Sequence, residues 1–250
     1  MIYGLYQSAA GMLVNQYRLD VTANNLANVD TAGFKRDVAS FSERLVESRV
    51  RLGAARHPVL DDMTGGVWSA RTVTDWSTGS ADVTGNPLDV MIAGKGFFTV
   101  SSPDGIRYTR AGQFTIDSQN RLVTIGDGYP VLAEGGTEIR LPEDATNIRI
   151  TIDGKVVAND QVVGQLQVVE FDDPAATRKV GKGLVEAESK GRPVQPQLRV
   201  GAVERSNVYA MTELASMIEA SRAYQLNAQM ITMQDGTLGR LISEVARPIG

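Results

Sequence analysis

Both ends of the chain carry a long helical repeat, and this match constrains the fold more than any other feature of the sequence. From Leu5 to Leu26, apolar or small residues, interrupted once by the polar Gln16, recur at alternating intervals of four and three with no proline between them. This is the spacing of a heptad seam. The same spacing runs from Leu214 to Ile242 and stops before Pro248. Two long helices with matching seams are therefore predicted to pair with each other, with other subunits, or with both.

The residues on the two seams form the candidate assembly interface. On the N-terminal helix they are Leu5, Ala9, Met12, Gln16, Leu19, Ala23 and Leu26. On the C-terminal helix they are Leu214, Met217, Ser221, Tyr224, Ala228, Ile231, Leu238 and Ile242, with Asp235 on the same line. Because several of them are small or polar, one pair of helices buries little apolar surface and is expected to gain order from a larger assembly. On periodicity alone, two amphipathic helices packed on the middle domain of a monomer fit equally well.

Between the helices the apolar residues change to a period of two, which indicates β-strands. Leu88, Val90 and Ile92 alternate with other residues, and further short strands follow, separated by turns such as Asp153-Gly154. The predicted fold class is α+β. Long N- and C-terminal helices pair as a coiled coil, and an antiparallel all-β domain and an extended connector are inserted between them.

This organisation divides the chain into four predicted segments. They are a core helix (1–30), a connector region (31–80), a β-rich outer domain (81–205) and a second core helix (206–250). Within the connector, the pattern from residue 38 to 52 suits a helix and that from 56 to 80 an extended chain. Asn207 is expected to cap the second helix, since asparagine is a favoured residue at that position.

Composition excludes several kinds of chemistry. The 250 residues include no cysteine and one histidine, which rules out disulfides, cysteine-bound metals and thiol nucleophiles, and leaves little for a histidine-bound metal. A net charge of −4 has the wrong sign for a general nucleic-acid binder. The segment beginning Met1-Ile2-Tyr3 lacks the basic and apolar regions of a cleaved secretory signal. We therefore expect no cofactor, no metal, no nucleic acid and no small-molecule substrate.

Candidate catalytic residues are few and isolated. His57 lies in a predicted loop with no serine or cysteine nucleophile motif near it, so a catalytic triad is not indicated. The pairs Asp61-Asp62 and Asp172-Asp173 could supply the acid and base of a glycosidase, but adjacent loop carboxylates are common in any acidic protein. The sequence therefore does not predict an enzyme.

The segment from Ala23 to Arg36 closely resembles the N-terminal motif of the bacterial flagellar rod and hook family. Its motif residues are Asn24, Asn25, Asn28, Thr31, Gly33 and Phe34. Three further blocks are similar to motifs of that family and follow in the same order. They are residues 84–90 running on to 94–98, residues 108–114, and residues 206–208 followed by 217–224.

The resemblance implies a structural axial protein of the flagellum. Such proteins leave the cell unfolded through the flagellar type III export apparatus without a cleaved signal, and they assemble in the basal body within the periplasmic space. Their terminal helices form the inner core of a helical tube that transmits torque from motor to hook, and the middle domain faces outward. The implied partners are copies of the same chain, other rod proteins, the export apparatus and the surrounding ring proteins.

Chain length and one further segment bear on the position in the rod. The length fits a rod protein with one β insertion, and residues 233–241 are more similar to proximal-rod than to distal-rod sequences. The proximal rod is therefore predicted, with the distal rod as the alternative. Two other classes remain: a secreted carbohydrate-binding or hydrolytic protein built on the β domain, and an adhesin whose helices only trimerise.

Overall fold

The structure is a computed structural model that describes residues 2–43, 67–173, 177–181, 183–187, 189 and 191–245. The chain divides into two compact units. The helical unit comprises Met1–Leu26, Asp37–Val73 and Tyr209–Gly250, and the β unit comprises Ala27–Arg36 and Thr74–Val208. The four segments expected from the sequence use different boundaries and stay predictions.

The helical unit is built on two long helices that pack together, as the sequence predicts. Helix α1 spans Ile2–Ala27 and helix α2 spans Ala210–Val245. Because α2 begins at Ala210, the expected cap at Asn207 is wrong, and the backbone carbonyl of Tyr209 instead accepts from the N–H of Glu213 at 3.0 Å. None of the helices in the described part of the chain is long and apolar enough to cross a membrane.

A two-stranded ribbon completes the helical unit. Its strands are β1 (Asp37–Glu43) and β2 (Val67–Thr74). The helix expected from residue 38 to 52 is therefore wrong for residues 38–43, and the rest of it lies outside the described residues. The extended connector expected at 56–80 contains β2, and its first part also lies outside them. The physical reason is non-local: the ring of Phe41 packs edge-on against Tyr17 of α1, with 6.2 Å between the ring centroids.

The β unit confirms the antiparallel β region between the helices. Its strands are β3 (Ala81–Val83), β4 (Val90–Ile92), β5 (Phe97–Ser102), β6 (Gly105–Thr109), β7 (Phe114–Ile116), β8 (Leu122–Thr124), β9 (Ile148–Ile150), β10 (Lys155–Ala158), β11 (Gln161–Gln165), β12 (Val168–Glu170), β13 (Thr177–Gly181), β14 (Leu184–Ala187), β15 (Arg192–Pro193), β16 (Leu198–Val200) and β17 (Ala202–Glu204). The largest sheet has the order β13-β14-β6-β5-β12-β15, and a second has the order β11-β10-β9. Three two-stranded sheets pair β16 with β4, β17 with β3, and β7 with β8.

The β unit has its own hydrophobic core. Phe98 and Phe114 are fully buried at its centre and meet edge to face, with their ring centroids 5.2 Å apart. A smaller aromatic cluster lies around Phe97, Tyr108 and Phe171. These rings pack together with the buried aliphatic side chains of the strands, and their burial stabilises the unit.

The pairing of β17 with β3 brings two distant parts of the chain together. The register places Ala202 opposite Val83 and Glu204 opposite Ala81. The segment that precedes α2 is thereby fixed within the β unit. The pairing thereby fixes one side of the junction, which is the part of the β unit where the segments that follow α1 and precede α2 meet.

Candidate functional site: the helix pair and the junction

The two helices meet along a line of small and polar residues that repeats every seven positions. A Cβ atom placed on Gly4 would lie 2.9 Å from Nε2 of Gln234, and one placed on Gly11 would lie 3.0 Å from Nδ2 of Asn227. A step of seven towards the C-terminus on α1 thus matches a step of seven towards the N-terminus on α2. The helices are antiparallel, and the glycines allow their backbones to approach closely.

Asn25 is the polar centre of the contact near the end of α1. Its side chain, 1% exposed, accepts from the backbone N–H of Asp37 at 2.9 Å and donates to the carbonyl of Asp37 at 2.8 Å. The same amide group donates to Oε2 of the buried Glu213 at 3.2 Å. One side chain therefore links α1, the first residue of β1 and the first turn of α2. Its neighbour in the motif, Asn24, is exposed.

Among the described side chains of α1, the buried ones are all polar. They are Ser8, Asn15, Thr22 and Asn25. Asn15 and Thr22 donate to backbone carbonyls one turn earlier in their own helix, at 2.8 and 2.7 Å. These bonds satisfy the buried groups but add little attraction between the helices, because the net gain from a typical hydrogen bond is only about 1 kcal/mol. The pair is therefore held by close packing with little apolar burial.

The predicted seam of α1 lies one residue beyond this contact line. Gly4, Ser8, Gly11 and Asn25 are each followed directly by a seam residue, which is turned by roughly 100° around the helix axis. Leu5, Ala9, Met12, Leu19 and Leu26 are half-buried, whereas Gln16 and Ala23 are exposed. The apolar seam thus borders the pair contact and leaves part of its surface open.

The predicted seam of α2 is placed in a similar way. Met217, Ser221, Tyr224, Ala228, Ile231 and Leu238 are half-buried, whereas Leu214, Asp235 and Ile242 are exposed. The fully buried positions of α2 are Glu213 and Ala220, which belong to the seven-residue line that continues to Asn227 and Gln234. The role of both seams in assembly stays a prediction.

Large apolar side chains of both helices are exposed to solvent. On α1, Tyr6 is 70% exposed and Leu13 is 73% exposed. On α2 the exposed apolar side chains are Met211, Leu214, Ile218, Leu226, Met230, Met233, Leu241 and Ile242. Apolar surface of this length is uncommon on a monomeric soluble protein and is typical of surfaces that bind another protein.

The rest of the asparagine-rich motif forms the turn after α1. Thr31 donates to Asn28 twice, from its backbone N–H and from its hydroxyl, both at 3.2 Å. Gly33 has a φ of +70°, and Phe34 is buried with Nζ of Lys179 4.1 Å from its ring centroid. The motif therefore directs the chain from α1 into the β unit.

The β unit contains a buried ion cluster that sequence analysis missed, which we call the junction cluster: Lys35, Arg110 and Glu204. Nζ of Lys35 lies 2.5 Å from Oε1 of Glu204, and Nη1 of Arg110 lies 3.4 Å from Oε2 of the same carboxylate. Burial lowers the pKa of Lys35 and that of Arg110, and the adjacent carboxylate opposes both shifts. The only signal in the sequence is that each residue stands within or beside one of the family motifs.

Replacement of Gly33 with alanine is expected to destabilise the β unit by about 3 kcal/mol or more. A left-handed backbone costs a residue with a Cβ about 1–3 kcal/mol, and the new Cβ would lie 2.5 Å from the backbone N of Ala111. The matched control is Gly85→Ala, because Gly85 has a φ of +75° with no atom within 4 Å of the added Cβ. Denaturant unfolding followed by tryptophan fluorescence measures both variants. Equal midpoints for the two would contradict the predicted clash.

The candidate catalytic residues do not form a site in the described structure. His57, Asp61 and Asp62 lie outside the described residues. Asp172 and Asp173 are exposed, and Asp172 forms an ion pair with Arg192 at 3.9 Å. Within the described ranges, no three His, Cys, Asp or Glu side chains lie close enough to hold a metal ion. The helix pair and the junction are therefore the features that carry functional information.

Comparison with known proteins matches three parts of the chain to flagellar families. Residues 5–35 match the family described as "Flagella basal body rod protein", and residues 91–158 match "Flagellar hook protein FlgE/F/G D1 domain". Residues 199–244 match "Flagellar basal body rod FlgEFG protein C-terminal". The matched parts contain most of α1 and its turn, the centre of the β unit, and most of α2.

Full-length relatives decide the family. The chain is 35% identical over 263 residues to "Flagellar basal-body rod protein FlgG" of Bacillus subtilis, covering 97% of this chain and 99% of the relative. The chain belongs to the flagellar basal-body rod protein family. The rod protein FlgG of Buchnera aphidicola from Acyrthosiphon pisum is also 35% identical, over 96% of this chain and 99% of its own length. The rod protein FlgF of Caulobacter vibrioides is 34% identical, over 91% of each chain.

Membership of the rod family gives the chain a structural role in the flagellar basal body and no enzymatic one. It assembles with other rod proteins. The preference for the proximal rod is not supported, since the two relatives that are 35% identical are both named FlgG, and FlgG is the distal rod protein. That preference depended on residues 233–241, which lie within α2.

Proposed function

We propose that this chain is the distal rod subunit of the flagellum, which polymerises through its terminal helices into a helical tube and transmits torque from the motor to the hook. Its similarity to FlgG proteins over almost the whole of both chains supports the distal position. The observation that most supports polymerisation through the helices is the exposure of large apolar side chains on α1 and α2.

The physical basis of assembly is burial of these side chains against neighbouring helices. Full burial of a leucine or methionine side chain contributes about 1.5–3 kcal/mol. Within one chain the helices meet through small and polar residues, so a free subunit leaves most of this contribution unused. In the tube, each exposed face is covered by another subunit, and the order of the helices increases with assembly.

The same proposal assigns the route and the partners. The chain is exported through the flagellar type III apparatus without a cleaved signal, and the assembled rod lies in the periplasmic space. Its neighbours are copies of itself and other rod proteins, and its β unit faces the surrounding ring proteins. The resemblance and the FlgG relatives support this assignment.

A proximal rod position is the second candidate, because FlgF of Caulobacter vibrioides is 34% identical over 91% of each chain. The two positions differ in where a growing rod stops when the subunit is missing. Without a proximal subunit, growth stops near the base of the rod. Without the distal subunit, the inner part of the rod forms and its outer part is missing.

Complementation tests the proposal. The full-length chain is expressed in two strains of one bacterium, one lacking its FlgG and one lacking its FlgF, and isolated basal bodies are examined by electron microscopy. We expect complete rods and motility only in the strain that lacks FlgG. Rescue of the FlgF strain alone would instead assign the proximal position. Rescue of neither strain, with the chain exported normally, would contradict both assignments.

A further inference from the structure

The junction cluster combines two buried cations with one buried carboxylate. Lys35 and Glu204 are each 1% exposed, and Arg110 is 6% exposed. Each oxygen of the Glu204 side chain accepts from one of the cations, and Oε1 also accepts from the backbone N–H of Gly79 at 2.9 Å. Nζ of Lys35 donates to the carbonyl of Ser77 as well, at 2.7 Å.

The cluster lies where three segments of the chain meet. The segment after α1 is bound by its Gly33 N–H, which donates to the backbone carbonyl of Glu204 at 2.7 Å. The N–H of Arg36 donates to Oδ1 of Asn207 at 2.7 Å, and the N–H of Asp75 donates to the carbonyl of Arg36 at 2.8 Å. Nδ2 of Asn207 donates to the carbonyl of Asp75 at 2.9 Å. The segments that follow α1 and precede α2 are thus held together inside the β unit.

The charges make this arrangement depend on Glu204. Without its carboxylate, two cations would be buried beside each other, and removal of one partner from a buried pair leaves an uncompensated charge that costs several kcal/mol. Without Lys35, the carboxylate would still be paired with Arg110. Removal of the Glu204 carboxylate is therefore expected to destabilise the cluster more than removal of either cation.

We propose that Glu204 is a positioning residue that closes the junction. Its carboxylate neutralises Lys35 and Arg110, and the segments that lead to α1 and α2 dock together only when it is in place. Until residue 204 has joined the fold, repulsion between the two cations keeps the segment after α1 from packing against the rest of the β unit. The link from a closed junction to polymerisation rests on the proposed function, whereas closure itself does not.

Hydrogen exchange of the full-length chain tests closure. In the Glu204→Gln variant, we expect the amides of Gly33, Arg36 and Asp75 to exchange on the order of a hundredfold faster, as loss of one partner from a buried pair implies. The amides of β5 and β6 should keep their protection. The matched control is Glu186→Gln, which weakens partly exposed ion pairs with Arg178 and Arg107 outside the junction cluster and should leave the junction amides unchanged. Unchanged exchange at the junction in Glu204→Gln would overturn the proposal.

A second variant separates the charge balance of the cluster from the loss of hydrogen bonds to Glu204. Lys35→Met removes one of the two cations, so adding it to Glu204→Gln should restore at least about tenfold of the lost protection, because less buried charge is left unpaired. If the double variant exchanges as fast as Glu204→Gln alone, the carboxylate acts through its hydrogen bonds and not through its charge, and the proposal fails.

Assembly supplies an independent readout. Glu204→Gln should be exported but incorporated poorly into rods, and the double variant with Lys35→Met should recover incorporation. Normal incorporation of Glu204→Gln with an open junction would overturn the link to assembly. Failure of the unmodified chain to form rods would instead contradict the proposed function and leave the exchange result on closure intact.

Discussion

A chain in which Leu13 and Leu226 are both replaced by aspartate is expected to fold but not to enter the rod. Both side chains are largely exposed in the subunit, so the substitutions should change its free energy of unfolding by no more than about 0.5 kcal/mol each. In the tube the same positions would bury an unpaired carboxylate, which costs several kcal/mol at every contact. Motility assays and immunoblots of isolated basal bodies measure incorporation.

The control places the same charges at polar positions. Gln225 and Gln229 are exposed on α2 close to Leu226, and the double variant Gln225→Asp/Gln229→Asp should assemble normally. Rods of normal length from the leucine variant would show that these apolar faces do not contact neighbouring subunits. Equal failure of the control would show that charge on the helices, rather than loss of apolar contact, prevents assembly.

The Asn25→Ala variant is expected to lose much of its helix pairing while the β unit remains folded. The substitution removes two hydrogen bonds to the backbone of Asp37 and one to Glu213, all from a side chain that is 1% exposed. Loss of buried partners of this kind costs about 2–4 kcal/mol in total. Because the contact line of the helix pair consists of small and polar residues, a loss of this size is a large fraction of the free energy that holds the pair together.

Two spectroscopic signals report the helical unit and the β unit independently in this experiment. Far-ultraviolet circular dichroism reports the helices, and fluorescence of Trp76, which packs on Phe97, reports the β unit once Trp68 has been replaced by phenylalanine. Helix content should fall in Asn25→Ala, and the unfolding midpoint of Trp76 should not move. The control is Gln16→Ala, which removes one hydrogen bond of an exposed side chain on α1, to Asp20, and should change neither signal. Parallel losses in Gln16→Ala and Asn25→Ala would contradict the specific role of the buried amide.

Local patterns made the helices predictable. The spacing of three and four residues predicted α1 within three residues of its observed start and one of its end, and it carried α2 through Gly236 and Gly239. Such spacing depends on residues within one or two turns, so no distant contact is needed to recognise it. The alternation around Val90 located the β region for the same reason.

The contact line between the helices could not be predicted from hydrophobicity. In a single globular chain, the apolar face of a helix is the one that is buried, so the seam through Leu5 and Met12 was expected to form the pair. The structure instead places Gly4 and Gly11 towards α2 and leaves the apolar face beside them partly open. Hydrophobicity marks surface that becomes buried, and in a subunit of a polymer that surface includes contacts with other chains.

Long-range contacts account for what the sequence did not reveal. The strand at Asp37–Glu43 is fixed by Asn25 and by β2, so its helix-like local pattern was misleading. Lys35 and Glu204 are far apart in sequence, and no local spacing predicts that one buried ion pair joins them. Neither residue differs in type from exposed residues of the chain such as Lys95 and Glu134.

The central claim is that the terminal helices become stably ordered through assembly, and hydrogen exchange tests it most directly. The dilute free chain and the assembled rod are exchanged under the same conditions, with the amides of β5, β6 and β12 as an internal reference. The account predicts that amides of α1 and α2 exchange at least about a hundredfold faster in the free chain than in the rod, while the reference amides are unchanged. Helices of the free chain that are already protected as strongly as the reference strands would contradict it.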